Sequence, residues 1–175
     1  MKKIRLLLLD TCVVIELFRL NLWASVLEKC EILLARTGAE NEVKYYHGTE
    51  RDRIIDLSPY TDSGRVAVVD VQPSDLQAFR DQFSLTYLAR LDDGEAESLA
   101  YLLTSKDLCS ICSSDAIVYK VLACLNYEER GLSLESVLKT IGLGRKLADQ
   151  FTEAFREKWT RQGKQDGIRG TARRG

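Results

Sequence analysis

Four consecutive leucines, Leu6 to Leu9, close a short stretch that begins at Ile4 and, apart from Arg5, is apolar until Asp10 stops it. A run this short suits a strand buried on both faces, as strands are inside a parallel sheet. It also puts a carboxylate directly after the strand. Open parallel sheets bind their ligands beyond the carboxyl ends of the strands, so Asp10 stands where a site is expected.

The remaining pattern alternates strands with helices. Val13, Val14, Leu17 and Leu20 recur at helical spacing, and a second short helix is expected around Trp23 to Cys30. Glu31 to Ala35 reads as the second strand and Ala39 to His47 as a helix. Residues 48–63 read as irregular, and Val66 to Val71 is the clearest strand. Pro73 opens a helix to about Phe83, with Ser74 as its expected cap. Asp92-Asp93-Gly94 ends a loop ahead of a helix over Glu95 to Leu103. Leu108 to Cys112 is the fourth strand, Ser113-Ser114-Asp115 a turn and cap, and Ala116 to Leu125 a helix. Gly131 to Leu134 is the fifth strand, followed by helices over Ser136 to Ile141 and Lys146 to Trp159. This order predicts a three-layer α/β/α sandwich with a mostly parallel central sheet.

At 175 residues the chain fits one domain. Its 45 % hydrophobic and 29 % charged residues exclude a disordered or collagen-like chain. Asp10, Glu16 and Arg19 interrupt the first apolar run too early for a membrane span, and no small-residue cleavage site follows it. The net charge of −1 is unevenly placed. Residues 161–175 hold five basic residues and one acid, so the expected division is a domain over 1–160 and a flexible basic tail over 161–175. Five cysteines, mostly in apolar runs, suit reduced core thiols and a cytoplasmic setting. Cys109-Ser110-Ile111-Cys112 lacks a second ligand pair for zinc, and His47 is the only histidine. Gly142-Leu143-Gly144-Arg145-Lys146 is too short for a phosphate loop and reads as a helix start.

Four acids therefore compete for one edge of the sheet. Asp10 follows the first strand, Glu42 lies after the second, Glu95 opens the helix before the fourth, and Asp115 follows the fourth. No lysine or arginine stands at the ends of strands one and four. Carboxylates packed together repel unless a hard cation binds them, and oxygen ligands suit Mg²⁺ or Mn²⁺. Each acid also has a plainer role: Asp10 and Asp115 as helix caps, Glu95 as a favourable first-turn acid, Glu42 as a solvated one. Glu40 competes with Glu42, and Asp93 and Glu97 with Glu95.

The segments Leu7-Leu8-Leu9-Asp10-Thr11-Cys12-Val13-Val14, Glu42-Val43, Gly94-Glu95-Ala96-Glu97-Ser98-Leu99-Ala100 and Ser113-Ser114-Asp115 resemble the PIN domain. That is the metal-dependent ribonuclease fold of VapC-type toxins and many RNA-processing nucleases. The resemblance spans about residues 4–125 and is closest to a prokaryotic subgroup with a Gly-Glu-Ala-Glu motif. It implies Asp10, Glu42, Glu95 and Asp115 as catalytic acids, with Asp10, Glu95 and Asp115 on the metal. Thr11, Ser113 and Glu97 would support them. It further implies an endoribonuclease using Mg²⁺ or Mn²⁺, cleaving to 5′-phosphate and 3′-hydroxyl ends. The implied partners are RNA, an antitoxin that blocks the acidic cleft, and a second copy in a homodimer.

The rival reading is a catalytically idle PIN-fold module for RNA binding or assembly. Aspartyl-phosphate chemistry at Asp10 is disfavoured. Dehalogenase-type hydrolases need an aspartate where Cys12 stands, and receiver domains need further acids after the first strand. Tyr45, Tyr46, Tyr60 and Tyr87 are candidates for base stacking or for half-buried core positions.

Overall fold

Leu8 and Leu9 point to opposite sides of one sheet, and that alternation organises the protein. The computed structural model describes residues 4–42, 45–47 and 52–174, the side chains of residues 5–7, 41–42, 45–47 and 52–53 excepted. Its strands are β1 (Ile4–Leu9), β2 (Cys30–Ala35), β3 (Tyr45–His47), β4 (Asp52–Ile54), β5 (Val66–Val69), β6 (Ser110–Cys112) and β7 (Gly131–Leu132). Five of them form an all-parallel sheet in the order β5-β2-β1-β6-β7. The other two form a hairpin with Tyr45 opposite Ile54.

Helices cover both faces, giving a three-layer α/β/α sandwich. On one face lie α1 (Thr11–Arg19), α2 (Trp23–Lys29), α3 (Ser58–Asp62) and, after β7, a helix over Leu134–Thr140. Leu9, Ile32, Leu34 and Cys112 meet that layer. The opposite layer contains α4 (Pro73–Arg80), α5 (Leu85–Leu88), α6 (Asp93–Thr104) and α7 (Ala116–Cys124). Leu8, Leu33, Val69 and Ile111 meet this one. The helix over Leu134–Thr140 is α8, and the final helix, α9 (Glu153–Arg169), packs outside α7.

From β1 the chain builds outward through β2 to β5, then returns across β1 to lay down β6 and β7 on its other side. Successive connections thus leave β1 and β6 in opposite directions. The gap between their carboxyl ends is the switch point of the sheet. Among the described residues, no helix is long and apolar enough to cross a membrane.

Several expectations are corrected. The helix expected over Ala39 to His47 is instead a single wide turn over Gly38–Glu42 followed by β3. Tyr45 and Tyr46 favour extended backbone, and pairing with β4 overrides the helical spacing. Val43 lies outside the described residues. Gln72 rather than Ser74 occupies the cap of α4, because Pro73 takes the first helical position. Gly142 to Lys146 is loop, not a helix start; Gly142 has φ +76 directly after α8.

The flexible tail is corrected as well. Residues 161–169 complete α9, and Gly170 ends it with φ 71, a left-handed conformation that glycine adopts without strain. Ala172 beyond it is fully buried, Ser84 donates its amide to the Ala172 carbonyl at 2.9 Å, and Arg173 pairs with Phe83. The segment is held by Lys120–Asp166, an ion pair of 2.6 Å between two buried side chains. The Tyr87 hydroxyl donates to the same Asp166 oxygen at 2.7 Å. Basic residues read as a tail for phosphates are partly engaged with the body: Lys164 with Glu128 and Arg174 with Asp81.

Candidate active site

Asp10 continues β1 by one residue. Its amide donates to the Cys112 carbonyl at 3.0 Å, so the sheet itself fixes its backbone. The side chain is buried at 8 % exposure and lacks the usual capping bond to α1, although the Thr11 backbone hydrogen-bonds to it. It accepts instead from Ser113 Oγ at 2.7 Å.

Ser113 follows β6 and is fully buried. Its hydroxyl both donates to Asp10 and accepts the Asp115 amide at 2.9 Å, joining the exits of β1 and β6. The Tyr119 hydroxyl lies 2.5 Å from the Ser113 carbonyl and 3.0 Å from that of Leu132, bracing the turn from below. Asp115 is exposed and caps α7 through the Ile117 amide at 3.0 Å. Capping uses one oxygen of Asp115.

Glu95 arrives from α6. It lies in the third helical position, where its carboxylate accepts the Asp92 amide at 3.1 Å while Asp92 accepts the Glu95 amide at 2.7 Å. This reciprocal capping box stabilises the helix start. It also buries Glu95 to 4 % exposure.

Asp92, read in the sequence only as the end of a loop, is therefore a fourth carboxylate of the centre. The detectable signal was its spacing of three residues from Glu95 ahead of an apolar helix. Tyr119 carries no such signal, since its contact depends on how α7 lies under β6 and β7.

The other acids go elsewhere. Glu97 is buried and accepts the Thr37 amide at 2.9 Å, tying α6 to the exit of β2. Asp93 pairs with Arg80 at 2.6 Å, and Glu40 with Arg36 at 2.7 Å. Glu42 ends the turn after β2, and its side chain lies outside the described residues. Thr11 lines a narrow cleft of about 10 Å³, room for about one water, together with Asp10, Ala35, Gly38, Gly94 and Ser98. Tyr60 packs edge-on to Phe18 and Trp23, and Tyr87 is buried, so neither is a base-stacking surface. Cys109 and Cys112 are buried free thiols.

Electrostatics mark the gathering of the acids. Burial pushes Asp10 up to about 6; the Ser113 hydrogen bond opposes that, and the charges of Asp92 and Asp115 add to it. Burial pushes Glu95 up to about 9, reinforced by Asp10, Asp115 and Asp92 in turn. The Cys12 thiol feels the same field: desolvation and then Asp10 raise it to about 11. The leading charges acting on both Asp10 and Glu95 are carboxylates, so near neutral pH Glu95 keeps its proton and the centre remains anionic.

In donor type this set suits a hard divalent cation, since it offers oxygen ligands only. Among the described residues, no three His, Cys, Asp or Glu side chains are gathered closely enough to form a finished coordination shell. Glu95 spends an oxygen on the Asp92 amide, and Asp115 on the Ile117 amide. No protein-family model matches the chain, and neither a curated protein nor a solved structure does.

Proposed function

We propose that the chain is a PIN-type endoribonuclease dependent on Mg²⁺ or Mn²⁺. One observation carries the reading: at the switch point of a parallel sheet, burial and the neighbouring carboxylates of Asp92 and Asp115 hold the Asp10 and Glu95 carboxyls above their ordinary values. Clustered, partly buried carboxylates cost stability unless something cationic binds them.

Asp10, Glu95 and Asp115 would hold the ion, with Asp92 beside Glu95. A bound Mg²⁺ or Mn²⁺ supplies Lewis-acid stabilisation of the phosphate and an activated water. Ser113 holds one Asp10 oxygen in place and so orients the carboxylate. Glu95 would have to give up its proton to serve as a ligand, so ion binding would strengthen as pH rises. Thr11 lines the cleft beside Asp10, where the scissile phosphate would approach. Glu42, at the end of the turn after β2, completes the acidic set. Glu97 acts indirectly by holding the turn that begins at Thr37. The setting is a reducing cytoplasm, and the partners are an RNA substrate, an antitoxin covering the cleft, and a second copy of the chain.

The test is cleavage of single-stranded RNA by the purified chain with Mg²⁺ or Mn²⁺ and with chelator. Cleavage that requires the ion, leaves 5′-phosphates and disappears in Asp10→Asn and Asp115→Asn is expected. Cleavage surviving in those variants, or none in the wild type, overturns the reading. A second reading, an idle RNA-binding or assembly module, draws on the absence of a finished coordination shell among the described residues. Calorimetric titration with Mn²⁺ separates the two: the nuclease takes up the ion with proton release, and the idle module takes up none.

A further inference from the structure

We propose that Arg36 is the contact for substrate phosphate at the rim of the acidic centre, kept in place by Asp70 and Glu40 until RNA displaces them; the proposal rests on the nuclease reading above. An anionic centre repels the polyanion it must cleave, so a cation at its rim is needed. The residues directly following the five sheet strands are Asp10, Arg36, Asp70, Ser113 and Ser133, and Arg36 alone among them is basic. It leaves the sheet from β2, the immediate neighbour of β1. Ala35 before it and Gly38 after it line the cleft beside Asp10.

The guanidinium is already arranged as a fork. Its Nε and Nη2 donate to the two oxygens of Asp70, the latter at 2.6 Å, and Nη1 donates to Glu40 at 2.7 Å. That planar presentation to a carboxylate matches a phosphate equally well. All three side chains are about half exposed, at 48 % for Arg36, 56 % for Asp70 and 54 % for Glu40. Exposed ion pairs of this kind contribute little to stability, so exchanging a carboxylate for a phosphate costs little. Nor is the pair needed to join the strands. β2 and β5 are already paired at four positions from Ile32 with Val66 to Ala35 with Val69.

The two halves of the pair make opposite predictions. Arg36→Gln removes the contact; Asp70→Asn removes its competitor. Steady-state cleavage of a single-stranded RNA oligonucleotide with Mg²⁺, over a series of salt concentrations, reads both. For Arg36→Gln, KM is expected to rise about tenfold with kcat little changed, and the salt slope of binding to fall by about one. For Asp70→Asn, KM is expected to fall by roughly threefold, since phosphate no longer displaces a full charge. If the pair were only a brace, both substitutions would lower the melting temperature and shift KM in the same direction, which overturns the proposal. Unchanged KM in both variants of an active enzyme overturns it while leaving the nuclease reading intact. A wild type that cleaves no RNA ends both.

Discussion

Glu95 shows how one side chain serves the fold and the chemistry at once. Its capping bond to Asp92 stabilises α6, while its burial among Asp10, Asp115 and Asp92 holds its proton until pH reaches about 9. The unfolded chain releases that proton near 4.5, so between these values the folded state binds more protons and stability falls as pH rises. Asp10, raised to about 6, adds to the fall over the lower part of the window. Metal-free protein is therefore expected to melt at progressively lower temperature from about pH 5 to about pH 9, the total loss being on the order of a few kcal/mol. Glutamine also forms a capping box, so Glu95→Gln keeps the helix start and removes the titration. Thermal unfolding at pH 8 is the check: the variant should melt roughly 5 °C above wild type without metal, and Mg²⁺ should raise the wild type more than the variant. A variant less stable than wild type at that pH would show Glu95 to be a cap and nothing more.

At the scale of elements, α9 is polar along most of its length and is placed by α7 rather than by its own periodicity. Gly163 sits directly on α7. A Cβ there would lie 2.5 Å from the Lys120 carbonyl oxygen and 2.6 Å from its Cα. Both are backbone atoms, so relief requires the helices to separate. Alanine at a helix interior normally gains about 1 kcal/mol over glycine, but the clash is larger, and Gly163→Ala is expected to destabilise by about 1–3 kcal/mol net. Gly167, one turn on, is the control. Its Cβ would meet Cys124 Cα at 3.7 Å, an ordinary contact, so Gly167→Ala should stabilise by about 0.5–1 kcal/mol. Urea unfolding of the two variants checks the pair, and equal signs would exclude the close approach of α9 to α7.

For the molecule as a whole, the basic segment after residue 160 belongs to the body of the domain. Ending the chain at residue 160 removes Asp166 and leaves Lys120 buried without its carboxylate and Tyr87 without its acceptor. It also removes Ala172 from the side of Phe83. An orphaned buried charge alone costs about 3 kcal/mol or more, so the shortened chain should lose cooperative unfolding or melt far below the intact protein. Removing only residues 173–175 spares that pair and should cost little. Calorimetry on both lengths checks this, and an unchanged transition after the longer deletion would return the segment to the status of a tail.

The alternation of short apolar runs with helical spacing was enough to specify a parallel three-layer sandwich, because periodicity and strand burial are properties of neighbouring residues. The same local logic placed Asp10 and Asp115 at strand exits and Glu95 at a helix start. Tertiary structure decided what those carboxylates meet. Ser113 links Asp10 to Asp115 only because β1 and β6 are adjacent, although 103 residues separate Asp10 from Ser113. Asp92 joins the centre because α6 carries its cap there, whereas Glu97, two residues beyond Glu95, is spent on Thr37. The β3 strand replaced an expected helix because a partner strand was available, and the final helix docked because Asp166 found Lys120 and Gly163 left room for the approach. Apart from the Asp92 capping box and the short β3–β4 pairing, which are local, these outcomes turn on contacts between residues distant in the chain, and spacing along the chain carries no record of such a contact.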